Sequence, residues 1–390
     1  MKSLSEANTR FAYDLFQQLR KSEKKNIFYS PLSVSAAISM TYLGAQENTA
    51  SQIQKALHLN EVTENTKGGA ATVDVKKSGI VHQQFQELLT ELSKSSNAYE
   101  LHLANRLYAE KKFTFLQEYM DSVNKFYLAS AETVDFVNAA EESRKMINSW
   151  VESQTKEKIQ DLFPEDSFNS TTVLVLVNAI YFKGQWNEKF DPKLTEQGEF
   201  WLNKDTSKPV QMMKQEGHFS FTELEDVPAK ILEIPYKGKD LSMVLLLPNE
   251  IDGLQQLEDK LTADKLIEWM SSQNKSMRNV NLHLPRFKVE ESYNLEGVMS
   301  ALGMVDAFSP LDADFSGMTE GRRLVMSKIR HKSFVEVTEE GTEAAAASGI
   351  VIKKLSAPLY ESFRCDHPFL FFIKHNKSNS ILFFGRVSSP

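Results

Sequence analysis

The chain has little cysteine: Cys365 is the one thiol among 390 residues. A single cysteine cannot form an intramolecular disulfide, so the sequence favours a reducing compartment. The first twenty residues lack the apolar core, about 7–15 residues long, that a cleavable signal peptide needs. The longest apolar run, at residues 173–182, is too short to span a bilayer. We therefore expect a cytoplasmic protein without a membrane partner, and leave non-classical release from cells open.

The chain also lacks a basic excess, since 45 Lys and Arg stand against 52 Asp and Glu, a net charge of −7. This balance argues against a nucleic-acid partner. The eight histidines have neither HExxH spacing nor a CxxC companion, so we predict no metal site and no cofactor. No GxSxG, GxxxxGK[ST] or GxGxxG motif occurs, and we expect no catalytic residue and no enzyme activity.

The residues that are present predict one α+β domain over residues 1–390. Amphipathic helices dominate the first third, and Ser30-Pro31 is typical of the start of a helix that ends at Gly44. The apolar run VLVLVNAIYF at 173–182 indicates a strand covered on both faces, at the centre of a sheet. Strand-like runs follow Phe200, and no linker or repeat divides the chain. The polar, glycine-containing stretch 60–79 predicts a mobile loop.

The stretch EEGTEAAAASGIVIKKLSAP at 339–358 combines conflicting preferences. Alanine favours helix, the flanking Gly341 and Gly349 favour flexibility, and the triplet 350–352 favours a strand. Small side chains also fit between existing strands without overpacking a core. The preceding HKSFVEVTEE alternates like a strand and ends next to Gly341, which can act as a pivot. The segment is therefore suited to two states, an exposed loop and a strand inserted antiparallel to its predecessor.

Four motifs together resemble the serpin family. EEGTEAAAAS at 339–348 resembles its reactive-loop hinge, and NAIYFKGQW at 178–186 its central strand and breach. NIFYSPLSVSAAISM at 26–40 resembles the shutter helix, and the segment 366–390 resembles the C-terminal hairpin. Within the family, the chain is most similar to the intracellular ovalbumin-like clade (clade B), and there to the squamous cell carcinoma antigen type. The motifs extend from one end of the chain to the other.

The resemblance implies a fold of three β-sheets with about eight or nine helices and an exposed reactive-centre loop at about 341–360. It also implies a suicide-substrate protease inhibitor, which traps a protease as an acyl-enzyme by inserting the cleaved loop into the central sheet. The hinge of that loop would comprise Gly341, Thr342, Glu343, Ala344, Ala345, Ala346 and Ala347. Loop insertion in serpins is a known example of strand addition and stored strain.

The distance from hinge to cleavage site in the family places the scissile bond between Leu355 and Ser356. A leucine there would fill the apolar primary pocket of a chymotrypsin-like serine protease, our first-ranked target class. Lys353 and Lys354 offer alternatives, since a trypsin-like enzyme would cut after either. A papain-like cysteine protease, our second-ranked target class, would anchor on Ile352 and cut between the two lysines.

The resemblance further implies a shutter, a polar cluster beneath the central sheet, formed by Ser30, Ser33, Asn178 and His331. Buried polar groups have to be hydrogen-bonded in any case, so these residues could form a cluster even without a switching role. Trp186 corresponds to the breach at the top of the sheet, although a buried tryptophan is also common as an ordinary core residue. Cys365 is interpreted as a packing residue. We expect a monomer.

The alternative function is that of a serpin that does not inhibit and acts as a carrier, chaperone or scaffold. Such proteins tend to have bulky or charged hinge residues, whereas the small residues Thr342 and 344–347 favour an inhibitor.

Overall fold

The computed structural model describes residues 2–64, 73–271, 276–320, 324–340 and 359–390. The predicted hinge residues and the candidate cleavage positions Lys353, Lys354, Leu355 and Ser356 lie outside the described residues. Helices occupy both ends of the predicted mobile loop 60–79, because α4 ends at Glu64 and α5 begins at Val73. The mobility of the remainder, 65–72, stays a prediction.

Ten α-helices occur in the described parts of the chain. They are α1 (Lys2–Ser22), α2 (Pro31–Tyr42), α3 (Glu47–Ala56), α4 (Leu59–Glu64), α5 (Val73–Leu92), α6 (Gln117–Tyr127), α7 (Ala140–Gln154), α8 (Leu254–Lys260), α9 (Ala263–Met270) and α10 (Glu296–Ala301).

Helix α2 begins and ends close to where the sequence predicts. The Ser30 side chain caps it by accepting a hydrogen bond from the Ser33 N–H, and Pro31 occupies the first helical position. Its residues are buried on all sides up to Thr41, so its sequence shows no polar face. A Cβ at Gly44 would lie 2.2 Å from Met318 Cγ, so glycine is needed where the chain passes that side chain.

Fourteen β-strands are described. They are β1 (Ile27–Tyr29), β2 (Tyr99–Glu110), β3 (Ser130–Val134), β4 (Leu174–Gly184), β5 (Glu196–Trp201), β6 (Ser207–Glu223), β7 (Ala229–Pro235), β8 (Leu241–Pro248), β9 (Ser276–Pro285), β10 (Phe287–Asn294), β11 (Met326–Val337), β12 (Glu361–Arg364), β13 (Phe369–His375) and β14 (Ser380–Val387).

A five-stranded sheet has the order β10-β11-β4-β2-β3. Strand β4 lies at its centre, antiparallel to β2 and parallel to β11. Its even-numbered apolar residues, such as Leu176, join the main core, whereas its odd-numbered ones, such as Val177, pack in a smaller core with α7 residues. The prediction of a central strand covered on both faces is confirmed.

The other strands form a nine-stranded sheet of order β1-β14-β13-β8-β7-β6-β9-β12, with β5 also paired to β6. The long strand β6 pairs with β5 over Ser207–Met212, with β9 over Met212–Phe221 and with β7 over Ser220–Glu223. The described strands thus form two hydrogen-bonded sheets where three were expected, because β6 joins strands that would otherwise belong to separate sheets. The main core fills the space between the two large sheets and the N-terminal helices.

Candidate functional site

The four predicted shutter residues meet in one buried hydrogen-bond cluster, which we call the shutter cluster. Ser30, Ser33, Asn178 and His331 are each at most 2% exposed. The Ser30 N–H donates to His331 Nε2 at 3.0 Å, and His331 Nδ1 lies 2.6 Å from Asn178 Oδ1. Asn178 Nδ2 donates to Ser33 Oγ at 2.7 Å. The cluster therefore connects the start of α2 to the two neighbouring strands β4 and β11.

The contacts of His331 fix its tautomer. Because a backbone N–H donates to Nε2, that nitrogen must be an acceptor, and Nδ1 carries the proton donated to Asn178 Oδ1. Protonation would place an Nε2–H against the Ser30 N–H and remove this bond. Burial lowers the pKa of His331 to about 3, so the ring is neutral at physiological pH.

The His331–Asn178 bond crosses the seam between β4 and β11, since the two residues are directly opposed in the parallel register. The strands pair over nine positions, from Leu174–Met326 to Phe182–Val335, so no strand separates them. We call this pairing the β4–β11 seam. In this arrangement the sheet is closed, and any strand entering between β4 and β11 has to break both the ladder and the side-chain bond.

Two further contacts of the shutter cluster were not predicted. Ser333, on the same face of β11 as His331, donates to the Phe28 carbonyl at 3.1 Å and is fully buried. The Ser30 hydroxyl donates to the Leu382 carbonyl at 2.5 Å. Ser333 could have been found from strand alternation, because it lies two positions after His331. The contact with Leu382 could not have been found in this way, because the acceptor is a backbone carbonyl and the side chain is not involved.

Trp186 lies just beyond β4 and is 2% exposed. Its ring stacks on Tyr236 with centroids 4.5 Å apart and an interplanar angle of 8°. Its indole Nε1–H donates to the Thr338 carbonyl at 2.8 Å, one residue after β11 ends. Trp186 thus contacts the chain directly before the predicted hinge.

A part-buried ion pair close to Trp186 was also missed. Glu339, 5% exposed, receives hydrogen bonds from Arg286 Nε at 2.7 Å and Nη2 at 2.5 Å. The Glu339 carboxylate raises the pKa of Arg286. The Phe190 N–H donates to the Glu339 carbonyl at 2.9 Å. Both the backbone and the side chain of Glu339 are therefore fixed two residues before Gly341, although the sequence predicted only a strand end there.

The described chain stops at Glu340 and resumes at the exposed Leu359, which is followed by β12 of the nine-stranded sheet. The two ends of the predicted reactive-centre loop therefore belong to different sheets.

Cys365 is fully buried, as expected of a packing residue, and burial raises the pKa of its thiol. No group of three or more His, Cys, Asp or Glu side chains that could hold a metal ion occurs in the described ranges. Likewise, no α-helix of the described chain is long and apolar enough to cross a membrane.

Known proteins resemble the chain over its full length. The human proteins Serpin B3 and Serpin B4, of the squamous cell carcinoma antigen type, are each 62% identical, with 100% of both chains covered. Human leukocyte elastase inhibitor is 47% identical with the same coverage. The crystal structure of uncleaved ovalbumin superposes with a TM-score of 0.89 at 38% identity, covering 100% of each chain. These findings confirm the fold, the clade B resemblance and the similarity to the squamous cell carcinoma antigens.

A family model described as "Serpin (serine protease inhibitor)" matches residues 6–390. With this match and these full-length relatives, the chain belongs to the serpin family.

Proposed function

We propose that the protein is a protease inhibitor that acts as a suicide substrate, as the relatives named as inhibitors suggest. The protease attacks the carbonyl of Leu355, forms an acyl-enzyme and releases the N-terminal part of the loop. Residues 342–355 then enter the β4–β11 seam as a new strand. Fourteen residues at about 3.3 Å each make a strand of about 46 Å, which carries the tethered protease to the far end of the sheet.

The observation that carries this proposal is the closed, parallel β4–β11 seam next to the point where the chain leaves β11. A strand that turns back at Gly341 would run antiparallel to both neighbours. Antiparallel pairing is slightly more stable per residue than parallel pairing, so insertion replaces one parallel ladder by two antiparallel ones. The native fold then stores free energy behind a kinetic barrier.

The shutter cluster supports a barrier at this seam. Parting β4 from β11 separates His331 from Asn178, and buried polar groups without partners are costly. The contacts of Trp186 and Glu339 hold the backbone at Thr338 and Glu339, so the rearrangement would start beyond them. We infer a shutter role for the four cluster residues and a breach role for Trp186.

Chymotrypsin-like serine proteases rank first as targets and papain-like cysteine proteases second. Leucine suits an apolar primary pocket, while the Lys353–Lys354 bond suits the second class. The single cysteine favours a cytoplasmic location, and we propose that the protein acts as a monomer.

Incubation with chymotrypsin and with papain tests the mechanism. A complex that survives denaturing electrophoresis, with release of residues 356–390 detected by mass spectrometry, is the expected result for chymotrypsin. Cleavage without a stable complex would contradict trapping and favour the carrier or scaffold alternative. Leu355→Gly should weaken the reaction with chymotrypsin while leaving cleavage between the lysines by papain intact.

Thr342→Arg tests insertion. In an inserted strand, alternate side chains face the sheet interior, where an unpaired guanidinium is costly. This variant should therefore be cleaved without forming a stable complex. Glu343→Arg is the matched control, because position 343 should face solvent, and it should still form the complex. Equal stoichiometry of inhibition in both variants would refute insertion.

A further inference from the structure

Three exposed apolar side chains lie where the chain leaves the predicted reactive-centre loop, and we call them the exit patch. They are Leu359, Tyr360 and Met277, which are 96%, 42% and 55% exposed. Leu359 and Tyr360 directly precede β12, and Met277 is the second residue of β9, the strand that pairs with β12. Single exposed apolar residues are common on proteins, whereas neighbouring ones mark an interaction surface.

Tyr360 and Met277 lie on the same face of the nine-stranded sheet. The parallel β9–β12 register, continued by one residue, sets Tyr360 beside Asn279, two positions from Met277. Phe363 is fully buried and lies three positions after Tyr360. Val280 is also fully buried and lies three positions after Met277. Because side chains alternate along a strand, Tyr360 and Met277 both point away from the core, with their Cα atoms about 8 Å apart.

The strands next to the exit patch are held together by side-chain contacts as well as by their ladder. Residues 361–364 pair with residues 280–283. Arg278 Nη1 donates to Glu361 Oε1 at 3.3 Å, and its guanidinium lies 5.3 Å from the centre of the Phe221 ring. The two strands are therefore ordered before any partner arrives, which lowers the entropic cost of a contact there.

The length of the chain between cleavage site and patch determines what can cover the patch. This inference rests on the proposed function, in which a protease attacks the Leu355 carbonyl. Tyr360 is five residues further on, at most about 18 Å away along an extended chain. A compact protease domain of about 200 residues has a radius of gyration of about 16 Å, and its surface extends beyond that distance. The rim on the leaving-group side of its cleft therefore reaches the exit patch.

We propose that the exit patch is an auxiliary contact for the target protease, which meets it with an apolar rim on the leaving-group side of its active-site cleft. Tyrosine and methionine are enriched at protein interfaces, and the tyrosine ring supplies a large contact area. The patch then determines specificity together with Leu355.

The contact acts before the loop is cut. Attack breaks the peptide bond between Leu355 and Ser356. The Leu355 acyl group passes to the protease nucleophile, and the Ser356 nitrogen leaves as an amine with the proton that the nucleophile gives up. The exit patch stays on the Ser356 fragment, whereas the protease moves away with residues 342–355. The patch therefore accelerates association and makes no contribution to the final complex.

Progress curves of chymotrypsin inhibition by the full chain test the proposal, because they yield both the rate constant of association and the stoichiometry of inhibition. Tyr360→Ala should lower the rate constant about tenfold and Met277→Ala about fivefold, as truncation of interface residues that carry binding energy does. Tyr360→Phe keeps the ring and should keep the rate. The stoichiometry should stay unchanged, because the patch does not enter the sheet.

Met146→Ala and Leu311→Ala are the matched controls. Met146 on α7 is 52% exposed, similar to Met277, and Leu311 is 82% exposed. Both lie outside the exit patch, so neither variant should change the rate constant. Because the replaced side chains are exposed, every variant should keep the melting temperature of the unmodified protein.

The same variants separate this inference from the proposed function. If the chain is cleaved without trapping, the mechanism fails, yet kcat/KM for cleavage after Leu355 should still fall in Tyr360→Ala. If the protease reacts at equal rates with Tyr360→Ala, Met277→Ala and the controls, the inference is overturned. A raised stoichiometry in Tyr360→Ala would assign the residue to loop insertion and would also overturn it. So would self-association in sedimentation velocity that Tyr360→Ala abolishes, because a second copy would then cover the patch.

Discussion

The β4–β11 seam and the β13–β14 pair are both central and buried, yet they are stabilised differently. Strands β13 and β14 are antiparallel, and aromatic rings from them stack on β1, as Phe28 does on Phe383 at 5.3 Å. The seam is parallel and has a polar cluster at its middle. Apolar packing tolerates no opening, whereas hydrogen bonds can be exchanged for new ones. We therefore expect the β4–β11 seam to open more easily than the β13–β14 pair. Each of the following variants tests that difference.

The largest expected effect is a loss of stability at the apolar β13–β14 pair. Phe383→Ala removes a fully buried ring that contacts Phe28 and Phe182, so the free energy of unfolding should fall by about 3–5 kcal/mol. Urea denaturation followed by circular dichroism measures it. Leu311→Ala, at a side chain 82% exposed, is the control and should change stability by less than about 0.5 kcal/mol. Similar losses in both variants would remove the basis of the comparison.

On the polar side, Asn178→Ala leaves the His331 Nδ1–H and the Ser33 hydroxyl without their partner. Two such groups, at about 1–3 kcal/mol each, should reduce stability by about 3 kcal/mol. Hydrogen exchange should accelerate at amides of β4 and β11 and remain unchanged in β13 and β14. Asn8→Ala removes a buried asparagine without described partners and should have a smaller effect. Uniform acceleration in both sheets would contradict a locally weak seam.

The pH dependence of the free energy of unfolding should include a contribution from the β4–β11 seam. The pKa of His331 is about 3 in the folded protein and about 6.5 in the unfolded chain, so the unfolded chain binds the proton first as pH falls. The contribution of His331 to the free energy of unfolding is fully present above about pH 6.5. It decreases below that pH, by about 2 kcal/mol at pH 5. His331→Gln should flatten this dependence in urea titrations at pH 7.5 and 5.

His58 provides the opposite case as a control. Hydrogen bonding to Asp14, more than any other cause, raises the pKa of His58, so its contribution is present at low pH and lost as pH rises through the folded pKa. His58→Gln should therefore make the loss of stability toward pH 5 steeper. If both variants shift the profile in the same direction, the assignment of the pH dependence to His331 is wrong.

The smallest effect is expected at the ion pair before the loop. Arg286→Gln leaves Glu339 without its partner, but Arg286 is 47% exposed in its side chain and water can reach the site. We expect a loss of about 1 kcal/mol, measured by thermal unfolding, with reduced sensitivity to salt. Lys204→Gln, which breaks an exposed pair with Asp252, is the control and should have almost no effect. An equal loss in both variants would show that burial of Glu339 contributes nothing.

The sequence predicted those features that local patterns encode. Ser30 and Pro31 predicted the start of α2, and the apolar run at 173–182 predicted the centre of the five-stranded sheet. Resemblance supplied the four shutter positions, and the structure brings them into contact. The Leu382 carbonyl and the Arg286–Glu339 pair were not predictable, because they join segments 352 and 53 residues apart through groups that have no distinctive pattern. Helices α4 and α5 extend into the polar stretch 60–79, which was predicted to be a loop because it contains glycine and shows no apolar periodicity.

The position of Trp186 gives the protein an internal optical probe. The chain contains four tryptophans, and Trp186 donates a hydrogen bond to the Thr338 carbonyl, three residues before the predicted hinge begins at Gly341. Replacing Trp150, Trp201 and Trp269 by phenylalanine would leave one emitter, whose spectrum depends on its stacking with Tyr236 and on its bond to the Thr338 carbonyl. Stopped-flow fluorescence of such a variant could then time any rearrangement at this corner of the sheet without an attached dye.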